Sequence, residues 1–376
     1  MPDKLLTVNR RELILRTSGL SCLAGALHGA PKLRLNRWEI FTVRIPFAER
    51  IREPWIKSWQ NQKRDQTDYV LHFVRLHTDE GVSGIGEAKM PRTKAEAKLA
   101  AMIGRSPWDY VLDDSLQGIL IAVYDILGKA TSQPVARLFA TNPRKSITPT
   151  WWSQCFEPDV MASEAKLAVK LGYKVHKVKA RPWQDAVKQA EAMCSAVPKD
   201  FKIWVDANGT WETAARTVEM TKQLSRFPNY IGVETPVPRG ALEEYRRLKG
   251  KMTLPVAEHV DGLDVEQWTR EGLLDAWIVG APRLGNHIKN LAALAGKSAR
   301  PIWIEHSIDN GIAQVFQAHQ AAAWPSIQYC ISVTNVLEDD CMKEPFTVED
   351  GQFRIPQKYG LGVSLDEAAI DKYRIA

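Results

Sequence analysis

The feature that most constrains this chain is a repeated strand-and-helix unit whose strands end in polar residues. Beyond residue 151, short β-rich runs alternate with helical stretches at intervals of about 22 to 28 residues, which is typical of βαβ units and a parallel sheet. The predicted strands end near Lys179, Asp206, Glu234, Glu258, Gly280 and His306. A doubly wound sheet has the same rhythm, but its first strand normally leads into a glycine-rich phosphate loop, and the sequence has none. The pattern therefore predicts an α/β fold of the (β/α)7β TIM-like barrel type.

The residues before the barrel have a different pattern. Strand-like runs at 38–43 and 69–76 precede a turn at 79–81, and apolar residues then recur with helical spacing at 95–102 and 116–129. Alternation followed by 3.6-residue periodicity indicates an antiparallel sheet that is followed by helices. We therefore predict an α+β domain that caps the barrel.

The length of 376 residues exceeds what one hydrophobic core usually supports, so two domains are expected. Hydrophobic residues make up 45% of the chain and charged residues 25%, as in ordinary globular proteins. The predicted organisation is a signal segment at 1–30, an α+β capping domain at 31–148, the barrel at 149–345 and a C-terminal segment at 346–376 that returns to the capping domain.

The amino terminus resembles a twin-arginine export signal. Arg10 and Arg11 precede a mildly apolar stretch at 17–30, which is shorter than the roughly 20 residues needed to span a bilayer. We expect an exported, periplasmic protein without a membrane anchor. The alternative is a cytoplasmic protein that begins with an amphipathic helix.

Charge and cysteine content exclude several classes. The net charge is +6, but 50 basic residues are interleaved with 44 acidic ones, a pattern that argues against a nucleic-acid partner. The five cysteines have neither metal-site spacing nor the density of a disulfide framework, and we expect scattered thiols at Cys22, Cys155, Cys194, Cys330 and Cys341.

Three carboxylates close successive predicted strands: Asp206, Glu234 and Glu258. Neighbouring strands lie about 4.8 Å apart, so the three strand ends can converge on one cation. Ligation by oxygen alone favours Mg²⁺, with Mn²⁺ as a second possibility. Any one of these acids alone would be interpreted as a solvated loop residue, and their shared register is what predicts a metal site.

Two lysines lie on the preceding strand. Lys177 and Lys179 alternate with apolar residues, so both side chains should point into the barrel mouth. Crowded ammonium groups disfavour one another's protonation, which would lower a lysine pKa towards the range of a general base. Solvated lysines on a surface strand are the alternative.

A Lys-x-Lys strand, then Asp206-x-Asn208, then Glu234, then Glu258, each one βα unit further on, resembles the enolase superfamily. The mandelate racemase and muconate lactonizing enzyme branch fits best. The likeness extends through residues 82–88 and 123–130 and into the tail at 349–351 and 360–367, so it spans most of the chain in consistent order.

This resemblance implies roles for the candidate residues. Asp206, Glu234 and Glu258 would bind Mg²⁺, with Asn208 in support, and Lys179 would be the base that removes the proton next to a substrate carboxylate. Lys177 would act as a supporting cation. The implied partner is a small carboxylate substrate, and we expect a homo-oligomer.

The acid or base expected on the opposite face of the substrate does not match the family pattern. The branch that resembles mandelate racemase places an acid/base histidine where His306 stands, oriented by an aspartate one strand earlier, but that position is Gly280. No lysine replaces it between 276 and 284. His306 would act alone, be oriented by Glu338 or Asp309, or have only a structural role.

Residues 48–66 are polar and basic, as expected of a mobile surface loop. Such a loop could close over the barrel mouth and bind a second anionic group of the substrate, or remain an ordinary solvated loop.

These features together predict Mg²⁺-dependent removal of an α-proton through an enediolate. Dehydration, racemisation or epimerisation of a hydroxy acid or acid sugar is the leading hypothesis. Dehydration fits a site with a base on one face only, because elimination needs just one base and a nearby acid. A cycloisomerase of the muconate lactonizing type and a barrel that binds a ligand without turnover are the alternatives, the latter suggested by Gly280. A nucleotide-dependent enzyme is disfavoured by the missing phosphate loop.

Overall fold

The computed structural model describes residues 32–59, 66–280, 300–305, 308–331 and 333–375. The predicted signal segment at 1–30 and the candidate acid/base residue His306 both lie outside these ranges. None of the helices within the described ranges has the length and apolar character needed to cross a membrane.

The chain opens with a three-stranded antiparallel sheet in the order β1-β2-β3. Its strands are β1 (Leu35–Pro46), β2 (Asp68–Thr78) and β3 (Ser83–Ala88). Helix α3 (Ile119–Ala130) packs directly on β3 because Gly84 lacks a side chain: a Cβ atom there would lie 2.1 Å from the Ala122 carbonyl oxygen. The predicted antiparallel sheet is confirmed.

The helices, in chain order, are α1 (Glu49–Lys57), α2 (Arg92–Met102), α3 as above, α4 (Val135–Phe139), α5 (Pro158–Lys170), α6 (Ala186–Ala196), α7 (Ala214–Leu224), α8 (Leu242–Leu248), α9 (Val265–Glu271), α10 (Gly311–Ala323) and α11 (Glu367–Tyr373). Short 3-10 turns lie at Pro107–Tyr110, Asp114–Leu116 and Thr334–Val336. Several helices begin at acidic caps; Asp185, for example, accepts hydrogen bonds from the Val187 and Lys188 amides at the start of α6, which satisfies donors that have no partner within the helix.

Helix α1 corrects one prediction. The basic stretch at 48–66 was expected to be a surface loop, but Glu49–Lys57 is helical, and Ile51 and Trp55 on its inner face are buried. Residues four apart share one face of a helix, so this apolar pair stabilises an amphipathic helix despite its charged neighbours.

Eight parallel strands form a closed barrel in the order β10-β11-β12-β5-β6-β7-β8-β9, which confirms the predicted fold class. The strands are β5 (Pro149–Ser153), β6 (Val175–Lys179), β7 (Lys202–Asp206), β8 (Tyr230–Glu234), β9 (Val256–His259), β10 (Ala276–Gly280), β11 (Ile302–Glu305) and β12 (Ile327–Ile331). Helices follow β5 to β9 and β11; residues 281–299, which join β10 to β11, lie outside the described part of the chain.

Aromatic side chains fill the barrel interior. Trp204 and Trp303 have ring centroids 3.6 Å apart, and Tyr329 packs against Trp303 at 4.7 Å. Gly232 makes room for this layer, since a Cβ atom there would lie 2.0 Å from the Trp204 ring. The barrel is therefore a packed core, and polar side chains that point inward must gather at its mouth.

The C-terminal residues contact both parts of the molecule. The short strands β13 (Val348–Glu349) and β14 (Gln352–Arg354) form a small sheet with β4 (Ser146–Ile147). At the end of the chain, the Ile375 amide donates to the Thr42 carbonyl on β1 at 3.0 Å.

Candidate active site

Charged side chains converge at the carboxyl ends of β6, β7 and β8. The strand register pairs Lys179 with Asp206 and Asp206 with Glu234, and residues paired in this way point to the same side of a sheet. Lys177 lies two residues before Lys179 and so shares its face. This is the end of a β/α barrel at which active sites occur.

Lys177 is the centre of the charged cluster. Its side chain is 1% exposed. The ammonium donates to Glu234 Oε1 at 2.8 Å, contacts Glu305 Oε2 and lies 3.3 Å from Asp206 Oδ2. Three carboxylates thus surround one ammonium group. A buried charge requires a partner of opposite charge, and these carboxylates provide it.

Lys179 lies nearer to solvent than Lys177, with 15% of its side chain exposed. Its ammonium pairs with Asp206 Oδ2. The Asn208 side-chain amide donates to the same oxygen at 3.1 Å, and the Asn208 backbone amide donates to Asp206 Oδ1 at 2.9 Å. Asn208 therefore fixes the Asp206 carboxylate, and Lys179 is the lysine of the pair with more access to a ligand in the barrel mouth.

Glu258 points away from this cluster. Its carboxylate accepts hydrogen bonds from Tyr245 on α8 at 2.6 Å and from the Thr235 hydroxyl at 2.8 Å. The register explains the direction: Glu234 pairs with Ala257, so Ala257 and His259 face the barrel interior and Glu258 faces the helices.

His259 takes the interior position at the end of β9. Its Nε2 lies 3.2 Å from Glu234 Oε1 and 3.5 Å from Glu305 Oε1. Among the described residues, Glu234, His259 and Glu305 form a group of potential metal-ligand atoms that all lie within 4.8 Å of one another. Asp206 and Glu258 are outside that group, so the carboxylate trio expected from sequence is not brought together as one set.

The electrostatics of the cluster follow from burial and from the excess of carboxylates. Burial alone would lower the pKa of Lys177, but Glu234, Glu305 and Asp206 outweigh burial and raise it. Burial would raise the pKa of Glu305, yet Lys177, His259 and Lys179 lower it to about 2.

Two neighbouring groups, Glu234 and His259, both have a raised pKa, but for different reasons. Burial and the adjacent Asp206 charge raise the pKa of Glu234. Burial disfavours the charged form of His259, but its hydrogen bond to Glu234 and the Glu305 charge outweigh that cost and raise its pKa. The cluster thus attracts positive charge.

The other predicted residues lie elsewhere. Glu338 pairs with Arg52 at 2.7 Å and is 41% exposed, and Asp309 pairs with Lys89 of the capping domain. Gly280 is paired with Glu305 in the strand register. His306 lies outside the described residues, so its role stays a prediction.

Sequence reasoning missed His259 and Glu305. Each is adjacent to a residue that was singled out, Glu258 and His306 respectively. The sequence carried no clear signal for either residue, because the strand register, which pairs Glu305 with Gly280, is what shows that Glu305 lies at the strand end.

A closed parallel barrel with charged side chains gathered at its carboxyl end is the architecture of the β/α-barrel enzymes. The profile of the enolase C-terminal domain-like family matches residues 160–369. The chain therefore belongs to the enolase superfamily, in the mandelate racemase and muconate lactonizing enzyme family.

Relatives with assigned activities agree with this placement. The chain is 25% identical over 249 residues to N-succinyl-L-Arg/Lys racemase of Bacillus cereus, an alignment that covers 60% of this chain and 65% of the racemase. It is 26% identical over 275 residues to arabinonate dehydratase of Saccharolobus solfataricus, covering 69% and 72%. It is also similar to muconate cycloisomerase 1 of Rhodococcus opacus, at 25% identity over 84% of this chain and 94% of that protein.

Solved structures show the same fold. The crystal structure of N-succinyl Arg/Lys racemase from Bacillus cereus superposes with a TM-score of 0.73 at 20% identity, covering 91% of this chain and 98% of the other. A dipeptide epimerase from Cytophaga hutchinsonii, complexed with Mg and the dipeptide D-Ala-L-Val, gives a TM-score of 0.74 at 18% identity, covering 90% and 98%.

Proposed function

We propose that this chain removes the proton next to the carboxylate of a small substrate, with Lys179 as the base. The observation that carries the proposal is the position of Lys179, partly exposed at the barrel mouth and paired with Asp206 beside the buried Glu234. A base must reach its proton directly, and Lys179 is the more accessible of the two lysines on β6.

The donor chemistry of the site fits a divalent cation. Asp206 and Glu234 are fully buried carboxylates next to each other at the strand ends, and buried carboxylates need a cation or strong donors. Mg²⁺ or Mn²⁺ held by Asp206 and Glu234 would supply stabilisation of the negative charge on the enediolate. Lys177 keeps both carboxylates oriented through its contacts with them. Glu258, the third ligand predicted from the sequence, instead accepts hydrogen bonds from Tyr245 and Thr235.

Dehydration, or racemisation or epimerisation, of a hydroxy acid or acid sugar is the reaction we favour. Gly280 provides no side chain that could serve as a second base on β10, and elimination needs only Lys179 and an acid, for which His306 is the candidate. The dehydratases and racemases among the relatives support this range of reactions. Cycloisomerisation, the reaction named for another relative, is the alternative.

The test is exchange of the substrate α-proton in deuterium oxide. Hydroxy acids, acid sugars and N-acylated amino acids are incubated with protein and Mg²⁺ or Mn²⁺, and deuterium incorporation is followed by mass spectrometry. We expect incorporation into at least one compound and its loss in Lys179→Ala. A barrel that only binds its ligand would leave every α-proton in place.

We also propose that the protein is exported through its twin-arginine signal and that it assembles as a homo-oligomer. The mass of the protein recovered from the periplasm tests the first, and light scattering of the purified protein tests the second. An intact amino terminus on a cytoplasmic protein would contradict export.

A further inference from the structure

The interior-facing side of β9 continues beyond the end of the strand. The register pairs His259 with Ile278, and the Val260 amide extends the ladder by donating to the Ile278 carbonyl at 3.0 Å. Successive side chains of an extended chain point to opposite faces, so Asp261 follows His259 on the interior side. Asp261 therefore places a carboxylate at the rim of the barrel mouth.

Gly280 leaves space beside this carboxylate. Gly280 lies two residues after Ile278 on β10, so its position also faces the interior. A Cβ atom added there would lie 3.9 Å from Asp261 Oδ2, and no other atom of the described residues, apart from the chain neighbours of Gly280, comes within 4 Å of it. The Asp261 carboxylate thus lies next to the strand end of β10, which has no side chain of its own.

This position is across the barrel mouth from Lys179. In the closed ring of eight strands, β6 and β10 are four strands apart in either direction. Lys179 ends β6 and Gly280 ends β10. A ligand bound between these strand ends would present one face to the Lys179 amine and the opposite face to the Asp261 carboxylate.

Asp261 is also the more accessible acid on this side of the mouth. His259 lies two residues deeper and is 4% exposed, and Glu305 contacts the buried Lys177. Asp261 is partly exposed, as Lys179 is. A group that exchanges protons with a substrate must reach the reacting atom directly, and access from the mouth makes this possible for Asp261.

We infer that Asp261 is the second acid/base of this site and acts on the substrate face opposite Lys179. Lys179 takes the α-proton from one face, and the Asp261 carboxyl group gives its proton to the other face and becomes a carboxylate. The reverse reaction starts from the Asp261 carboxylate and the Lys179 ammonium, so protons balance in both directions. The inference rests on the proposed function and narrows it to racemisation or epimerisation.

The test follows the two stereoisomers at the α-carbon separately. Both isomers of hydroxy acids, acid sugars and N-acylated amino acids are incubated with metal-loaded protein in deuterium oxide; mass spectrometry measures incorporation and chiral chromatography measures interconversion. We expect wild type to exchange and interconvert both isomers of at least one compound. Asp261→Asn should stop interconversion and slow the exchange of one isomer by about 10²- to 10⁴-fold, while the other isomer still exchanges through Lys179. Lys179→Ala should lose the exchange of that other isomer.

Asp264→Asn is the matched control in the same loop. The Asp264 carboxylate accepts a hydrogen bond from the Gln267 amide at 2.9 Å at the start of α9, and asparagine caps a helix about as well as aspartate. This variant should exchange and interconvert both isomers as wild type does. Circular dichroism establishes that each variant is folded, and the exchange of both isomers by wild type needs no variant.

The outcomes separate this inference from the proposed function. If wild type exchanges only one isomer, or if Asp261→Asn exchanges both at wild-type rates, the inference is overturned while α-proton removal by Lys179 stands. Loss of both isomers in Asp261→Asn, or loss of the second isomer in His306→Asn and not in Asp261→Asn, also overturns it. If wild type exchanges no compound, the proposed function fails together with the inference.

Discussion

Two lysines in this molecule, the buried Lys177 and the partly exposed Lys89, have pKa values shifted in opposite directions. Lys177 at the barrel mouth faces three carboxylates, and its pKa is raised. Lys89, which joins the capping domain to the loop after β11, pairs with Asp309 and donates to the Ile308 carbonyl at 2.6 Å. Burial lowers the pKa of Lys89 to about 8, although the nearby Glu87 opposes that shift.

The difference shows what each cluster is suited to do. Glu87 at the domain junction also accepts hydrogen bonds from the Asn310 and Ala313 amides at the start of α10, so backbone dipoles supply part of its stabilisation. The barrel-mouth carboxylates depend more on side-chain cations. The junction therefore serves mainly to hold two domains together, whereas the barrel mouth has an excess of negative charge that can bind a cation.

Replacement of Lys177 should give the largest loss of stability. Lys177→Met leaves Asp206, Glu234 and Glu305 without their shared buried ammonium, and we expect the free energy of unfolding to fall by about 3 to 5 kcal/mol. Denaturant titration measures it. Lys174→Met, which alters an exposed lysine just before the same strand, should change stability by no more than about 1 kcal/mol. Equal losses of unfolding free energy in the two variants would show that Lys177 has no special role in stability.

Replacement of Lys89 should cost less. Lys89→Met breaks the ion pair with Asp309, but it also removes an ammonium group that burial disfavours, so we expect a loss of about 1 to 3 kcal/mol. Lys94→Met on the exposed side of α2 is the matched control and should be neutral within about 0.5 kcal/mol. A loss larger than that of Lys177→Met would reverse the comparison between the two clusters.

The pH dependence at Lys89 should be the smallest effect. Its pKa is about 8 in the folded protein and 10.5 in the reference state, so between these values the unfolded chain holds a proton that the folded chain has released. Raising the pH through this window therefore favours folding. The stability of wild type relative to Lys89→Met should rise from about pH 8 to 10.5 and be level below pH 8; a fall across the window would contradict the assignment.

Much of the fold and part of the site could be predicted from the sequence. Strand ends at Lys179, Asp206 and Glu234 follow from regular βα spacing, and the shared face of Lys177 and Lys179 follows from period-2 alternation. Which residue of β9 faces the interior could not be predicted, because a shift of one residue in register exchanges the two faces. A shift of one residue decides whether Glu258 or His259 points into the barrel.

Helix α1 and Glu305 were missed for related reasons. The sequence around Ile51 and Trp55 is dominated by charged residues. A prediction based on composition therefore favoured a loop, although these two apolar residues anchor a helix. Glu305 precedes the histidine that matches the family pattern, and only pairing with Gly280 and Ile331 in the barrel shows that it occupies the strand end.

We propose that Lys179 removes a proton next to a carboxylate at this barrel mouth. The decisive measurement is deuterium incorporation at the α-carbon of hydroxy acids, acid sugars and N-acylated amino acids by metal-loaded wild type and Lys179→Ala. We expect incorporation by wild type and a rate lower by about 10²- to 10⁴-fold in the variant. Equal rates in the two proteins, or no incorporation by wild type with any of these compounds, would refute the assignment of Lys179 as the base.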